Sequence, residues 1–136
     1  MIVGIGTDIV HIVRIERAFS RQGLRFAGRI LGQSELLNFE QRLQQHPKRG
    51  IRYLATRFAA KEAFAKALGL GIREIMHWHA LEILNDGKGQ PYAETHGALQ
   101  HWLSQRQIKI HLSLSDEAEY ALAFVTLERH ASDSGN

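Results

Sequence analysis

The spacing of apolar positions changes twice in the first half of the chain. "IVGIG", residues 2–6, alternates apolar residues with glycine, and this two-residue period predicts a short strand. Thr7 and Asp8 follow, where the strand is expected to end and a helix to begin. In "IVHIVRIERAFSRQ", residues 9–22, Ile9, Ile12, Val13, Ile15 and Phe19 fall at helical spacing. "GQSELLNFEQRLQQ" continues with Leu36, Leu37, Phe39 and Leu43, and Ser34 is its expected N-cap. "HPKRG", residues 46–50, breaks the chain. The longest helix is expected over 51–68, ended by Gly69 and Gly71.

Beyond residue 76 the period shortens to two. "MHWHALEILND", residues 76–86, predicts a strand, and "NDGKGQPYAET" a hairpin turn with its return strand. A short helix is expected over 97–107. The alternating strands "IKIHLSLSD" and "EYALAFVTLER" come last, joined by a turn at Asp116–Ala118. The polar end, 129–136, is expected to fray. Strands in hairpin pairs imply an α+β fold with a mainly antiparallel sheet packed against a long helix. No repeat or linker divides the chain, so one domain is expected over 1–136.

Composition narrows the class. At 136 residues the chain is long enough to bury a continuous core, and 44% hydrophobic with 23% charged residues is ordinary for a globular protein. There is no cysteine, which excludes disulfide and thiolate chemistry. No apolar run reaches membrane-spanning length, and the start lacks a basic segment ahead of its apolar residues. A cytosolic protein is expected. The net charge of +3 matters less than its distribution. Arg14, Arg17, Arg21, Arg25 and Arg29 recur every three or four residues, either as a solvated helix face or as a docking surface for an acidic partner.

Two carboxylates stand in apolar surroundings. Glu62 lies one helical turn before Lys66, on a helix that also carries Phe58, Ala59, Ala63 and Ala65. The pair reads as an ordinary i,i+4 ion pair, but a largely buried helix requires its carboxylate to have a partner. Asp8 lies between two apolar runs and reads either as an N-cap or as a ligand. Together they suit Mg²⁺, which takes one or two protein carboxylates plus waters and phosphate oxygens. Lys66 could neutralise such a phosphate, and Gly69 and Gly71 would let it approach the backbone. His77 and His79 flank Trp78 without an evident third ligand, so they read as surface histidines, with Trp78 and Trp102 as packing residues. Ser113 and Ser115 read as the polar face of a strand.

"GIGTDIV" at 4–10, "RFAAKEAFAKALG" at 57–69, "GIR" at 71–73, "GQPY" at 89–92 and "HLSLSDEAEYALAFV" at 111–125 resemble the holo-acyl-carrier-protein synthases, the small phosphopantetheinyl transferases. The motifs occur in the family's order and span nearly the whole chain. The resemblance implies transfer of 4′-phosphopantetheine from coenzyme A to a serine of apo-acyl carrier protein, releasing adenosine 3′,5′-bisphosphate, for fatty acid biosynthesis. It implies Mg²⁺ held by Asp8 and Glu62, with Glu62 and Lys66 catalytic. It also implies coenzyme A bound by Asp8, Arg57, Glu62, Lys66, Gly69, Gly89, Gln90, Pro91 and Asp116. The acidic carrier protein would dock on Arg14, Arg21 and Arg25, with Arg17 and Arg29 as weaker candidates. Family members are trimers with sites between subunits, so Asp116 or Gln90 would serve a neighbouring chain's site.

Three positions depart from the pattern of many relatives. Asp116 stands in place of histidine, Leu70 in place of threonine and Gln90 in place of lysine, and Lys88 or Arg57 is expected to supply the charge missing at Gln90. Two other readings are open on the residues alone. A nucleic-acid module would use the arginine row but leaves Asp8 and Glu62 unexplained, and it lacks an aromatic platform. A Mg²⁺-dependent nucleotide phosphohydrolase would use the same carboxylates with water as nucleophile.

Overall fold

The computed structural model describes residues 1–131, so most of the tail expected to fray lies outside the described residues. The element order is β1 (Ile2–His11), α1 (Ile12–Gln22), α2 (Leu24–Ile30), α3 (Gln33–Gln45), α4 (Pro47–Leu68), a 3₁₀ turn (Trp78–Ala80), β2 (Leu81–Asn85), β3 (Pro91–Thr95), α5 (Gly97–Gln105), β4 (Ile108–Asp116) and β5 (Tyr120–Arg129). Among the described residues the strands form an antiparallel sheet in the order β1-β5-β4 and an antiparallel β2-β3 hairpin. The α+β, antiparallel expectation holds.

Helix α4 is the axis of the molecule. Pro47 occupies its first turn, where a missing N–H costs nothing, and Gly69 closes it in the left-handed region at φ 79°. Its sheet-facing side is small: Ala59, Ala60 and Ala63 are fully buried. The strands beneath are equally small. A Cβ on Gly6 would overlap the Ala63 carbonyl, and one on Gly4 the Ala67 carbonyl. On β5, Ala121 and Ala123 are fully buried. Helix and sheet thus approach almost backbone to backbone, which the glycine alternation of β1 makes possible.

Several boundaries differ from those read in the sequence. β1 runs to His11, so Thr7 and Asp8 lie inside a paired strand, with Asp8 opposite Ala123. Asp8 is therefore no N-cap; His11 holds that position for α1. Gly23, at φ 60°, separates α2 as a helix of its own and divides the arginine row between two helices. The N-cap of α3 is Gly32, not Ser34. Glu82 of β2 reaches over to accept hydrogen bonds from Ser34 N (2.9 Å) and Glu35 N (3.0 Å), capping the helix from another element. The strand expected from residue 76 begins only at Leu81.

Candidate active site

The strand period decides which residues face α4. Gly4, Gly6, Asp8 and Val10 of β1 point to the helix, as the contacts of Gly4 and Gly6 and the burial of Val10 show. Asp8 thereby meets Lys66, whose Nζ donates to Asp8 Oδ1 at 3.1 Å and to the Thr7 carbonyl at 2.9 Å. Glu62 stands one turn before Lys66, on the same side of α4. Its carboxyl is held above the usual glutamate range, first by partial burial and then by the charge of Asp8, with Lys66 and Arg14 offsetting part of the rise. Lys66 makes its ion pair with Asp8, and Glu62 makes none among the described residues. The i,i+4 ion pair is not what holds Glu62.

Two half-buried carboxylates within electrostatic reach of each other, one without a cation partner, are a donor set that fits a divalent ion. The set is too small for a structural zinc site: no group of three His, Cys, Asp or Glu that could hold a metal exists among the described residues. It matches Mg²⁺, which is content with one or two carboxylates. His79 is engaged elsewhere, its Nε2 2.7 Å from the Gly28 carbonyl, in agreement with the surface reading of the histidines.

The remaining expected residues gather on the other flank of α4. Arg57 is buried; its guanidinium donates to the Ile83 carbonyl (3.1 Å), Thr56 Oγ1 (3.1 Å) and Asn85 Oδ1 (2.6 Å). With Gly89, Pro91 and Asp116 it lines a cleft of about 220 Å³. Gly89, at φ 83°, shapes the turn between β2 and β3, and Gln90 lies next to it, on a neighbouring cleft with Pro91. A further cleft of about 260 Å³ joins Arg57 and Asp116 to Arg42, Arg49, Arg52 and Tyr53. Both Arg42 and Arg57 lie over the Tyr53 ring, at 4.5 and 3.9 Å from its centroid. Arg42, Arg49 and Arg52 were not singled out from the sequence. For Arg49 a signal exists: Arg49, Tyr53, Arg57 and Lys61 recur at every fourth residue and form one stripe of α4, whereas Arg42 and Arg52 lie off it.

Arg57 and Glu62 are five residues apart, which turns them by roughly 140° around the helix. Asp8 and Asp116 belong to the two outer strands, on either side of β5, whose backbones lie roughly 10 Å apart. One chain therefore brings Asp8, Glu62 and Lys66 together, and separately Arg57, Gly89, Pro91 and Asp116, but does not unite the two sets. Gly69 sits exposed at the end of α4, one turn beyond Lys66.

The arginines form a third surface. Arg14, Arg17 and Arg21 line a groove of about 520 Å³ with His11, Glu16 and Ser20, beside the Glu62 flank. Arg25 and Arg29 are exposed on α2. Arg14 lies 5.8 Å over the ring of Phe58, which stacks on Trp78 at 5.5 Å, and the Arg14 charge also reaches the Glu62 carboxyl.

Residues 4–125 match the 4′-phosphopantetheinyl transferase superfamily, and the chain belongs to it. A holo-[acyl-carrier-protein] synthase of Leptothrix cholodnii is 51% identical over 128 residues, 94% of this chain and 97% of that one. The crystal structure of the Neisseria meningitidis holo-[acyl-carrier-protein] synthase superposes with a TM-score of 0.86 at 47% identity, covering 95% of this chain and all of that one. The Bacillus anthracis synthase, solved in complex with coenzyme A (3′,5′-ADP), gives 0.80 at 35% identity over 96% of this chain and 99% of its own.

Proposed function

We propose that this protein transfers 4′-phosphopantetheine from coenzyme A to a serine of apo-acyl carrier protein, releasing adenosine 3′,5′-bisphosphate. The observation that carries the reading is the convergence of Asp8, Glu62 and Lys66 on one flank of α4 in a chain of this superfamily. Asp8 and Glu62 would hold Mg²⁺, which, when bound, would supply positive charge against the pyrophosphate and the charge developing on the β-phosphate. The serine oxygen forms a bond to the β-phosphorus as the bond to the bisphosphate oxygen breaks. Glu62 would take the serine proton, directly or through a water. Lys66 has used two of its three N–H groups on Thr7 and Asp8, and the third is available to a phosphate oxygen.

The arginine-lined cleft on the opposite flank holds the phosphorylated ribose of coenzyme A, with Arg42, Arg49, Arg52 and Arg57 supplying the charge that Gln90 does not. The two halves of the coenzyme A site meet when copies of the chain associate. The sheet face turned away from α4 exposes Ile5, Ile9, Leu122 and Phe124, an apolar surface suited to burial against another copy. A homotrimer with sites between subunits satisfies both observations. The carrier protein docks on the groove of Arg14 and Arg21 and continues onto Arg25. No helix among the described residues is long and apolar enough to cross a membrane, and the reading places the enzyme in the cytoplasm.

The test is the intact mass of apo-acyl carrier protein after incubation with the enzyme, coenzyme A and Mg²⁺. One phosphopantetheine is gained with the wild type and none with Glu62→Gln. No gain with several carrier proteins overturns the function; full activity in the variant overturns the role of Glu62.

A further inference from the structure

Lys61, next to Glu62, takes no part in that chemistry. Its side chain is fully buried, as is that of Glu35, and the two are paired at 2.6 Å. The ammonium also donates to the Ile30 carbonyl (2.6 Å) and the Trp78 carbonyl (2.8 Å), so all three of its N–H groups are used. The acceptors belong to three elements: the end of α2, the first turn of α3 and the 3₁₀ turn. Glu35 carries the connection further, accepting from Gly32 N (2.9 Å) through Oε1 and from Ile83 N (2.8 Å) through Oε2. The Trp78 ring, in turn, stacks on Phe58, one turn before Glu62.

Stability alone does not account for this arrangement. A buried ion pair is on balance no more stabilising than apolar residues of the same volume. What the pair supplies is geometry: a short, fully satisfied ammonium fixes the rotation and height of α4 at residue 61, and hence of Glu62 beside it. The same contact holds α2, which carries Arg25, and the Trp78 segment that walls the site.

We infer that Lys61 is a positioning residue for the transfer: through Glu35, Ile30 and Trp78 it sets Glu62 at a fixed distance from the surface that receives the carrier protein. The inference rests on the transferase reading. A misplacement of about 1 Å can lower a rate by about 100-fold.

The variant to make is Lys61→Met with Glu35→Gln, which removes both charges, fills the volume and leaves the glutamine oxygen to accept from one of the two backbone N–H groups, Gly32 or Ile83. Lys61→Arg keeps the charge but cannot fit the three acceptors. In the folded double variant, kcat falls about 100-fold with KM for coenzyme A near wild type, and Lys61→Arg does not rescue it. Amide hydrogen exchange speeds up at residues 30–32 and 78–80 while α4 stays protected. A wild-type kcat in the folded double variant, a loss that only tracks the unfolded fraction, or a higher KM at unchanged kcat overturns the positioning role. Unchanged exchange overturns it whatever the activity. If the wild-type enzyme itself modifies no carrier protein, the transferase reading fails, and the exchange result alone decides whether Lys61 pins these segments.

Discussion

In the proposed reaction Glu62 both holds the cation and receives the proton, and its electrostatics make a prediction that activity alone does not. In the cation-free protein its carboxyl is held above the usual range by burial and by Asp8. A carboxyl with a raised folded-state pKa is disfavoured in its ionised form by folding, so above that pKa it detracts from stability and below its unfolded value it contributes nothing. Without Mg²⁺ at neutral pH, Glu62→Gln is therefore at least as thermostable as the wild type. Mg²⁺ at about 100 times its dissociation constant stabilises the wild type by about 2.7 kcal/mol and leaves the variant unchanged. As pH falls through the raised pKa, protons compete with Mg²⁺ for Glu62, and the Mg²⁺-dependent shift in Tm at a fixed Mg²⁺ concentration declines. A variant that melts lower than the wild type without cation would contradict this account. The charge missing at Gln90 is also a residue-scale question. Lys88 lines neither cleft that contains Arg57, whereas Arg49 and Arg52 line the larger one. Arg49→Ala with Arg52→Ala should raise KM for coenzyme A about tenfold or more, with little effect on dephospho-coenzyme A, while Lys88→Ala changes neither. Parallel steady-state assays with the two substrates check this.

At the scale of elements, long periodic segments were legible and special local geometry was not. The alternation in "IKIHLSLSD" and "EYALAFVTLER" marked β4 and β5, and the composition of 51–68 marked α4, which starts four residues earlier because Pro47 opens a helix as readily as it breaks one. In the sequence Asp8 reads as a strand end because a polar residue after glycines imitates a cap. Only the pairing with β5 shows that it is the one acidic residue on the inward face of β1, among Gly4, Gly6 and Val10. Ser34 has the composition of a cap, but Glu82, 48 residues away in sequence, does the work, and no local pattern encodes that. The arginine row was legible as a period, yet Gly23 breaks it, since φ 60° cannot continue a helix. A partner reading the row must touch both α1 and α2. Arg21→Glu and Arg25→Glu each sit on a different helix and should raise KM for carrier protein about tenfold apiece, with kcat unchanged. Wild-type association should slow steeply with added salt and the variants' much less. Stopped-flow association across ionic strength measures it; equal salt dependence in all three proteins would remove the row from the docking surface.

The whole molecule shows why the site could be listed from the sequence but not assembled from it. The motifs around Asp8, Glu62, Arg57 and Asp116 carry no information about which of two flanks of α4 each side chain occupies. The turn of roughly 140° between residues 57 and 62 splits them. In the proposed trimer a coenzyme A that uses both sets reaches across a boundary between copies, and the exposed Ile5, Ile9, Leu122 and Phe124 are the apolar face proposed to join them. This makes a prediction about mixtures. Glu62→Gln lacks one half-site and Arg57→Ala the other, so each protein alone is nearly inactive. Dissociated, mixed in equal amounts and reassembled, they form trimers in which some interfaces take the intact Glu62 half from one copy and the intact Arg57 half from its neighbour. Random assembly gives about a quarter of wild-type activity, because each half is intact in half of the copies. Phe124→Asp, which places a charge on the apolar face, should yield monomers by native mass spectrometry, inactive alone and unable to complement either variant. If mixing restores nothing while the wild type is a trimer, the two half-sites serve a single chain, and coenzyme A must wrap around α4 instead of bridging two copies.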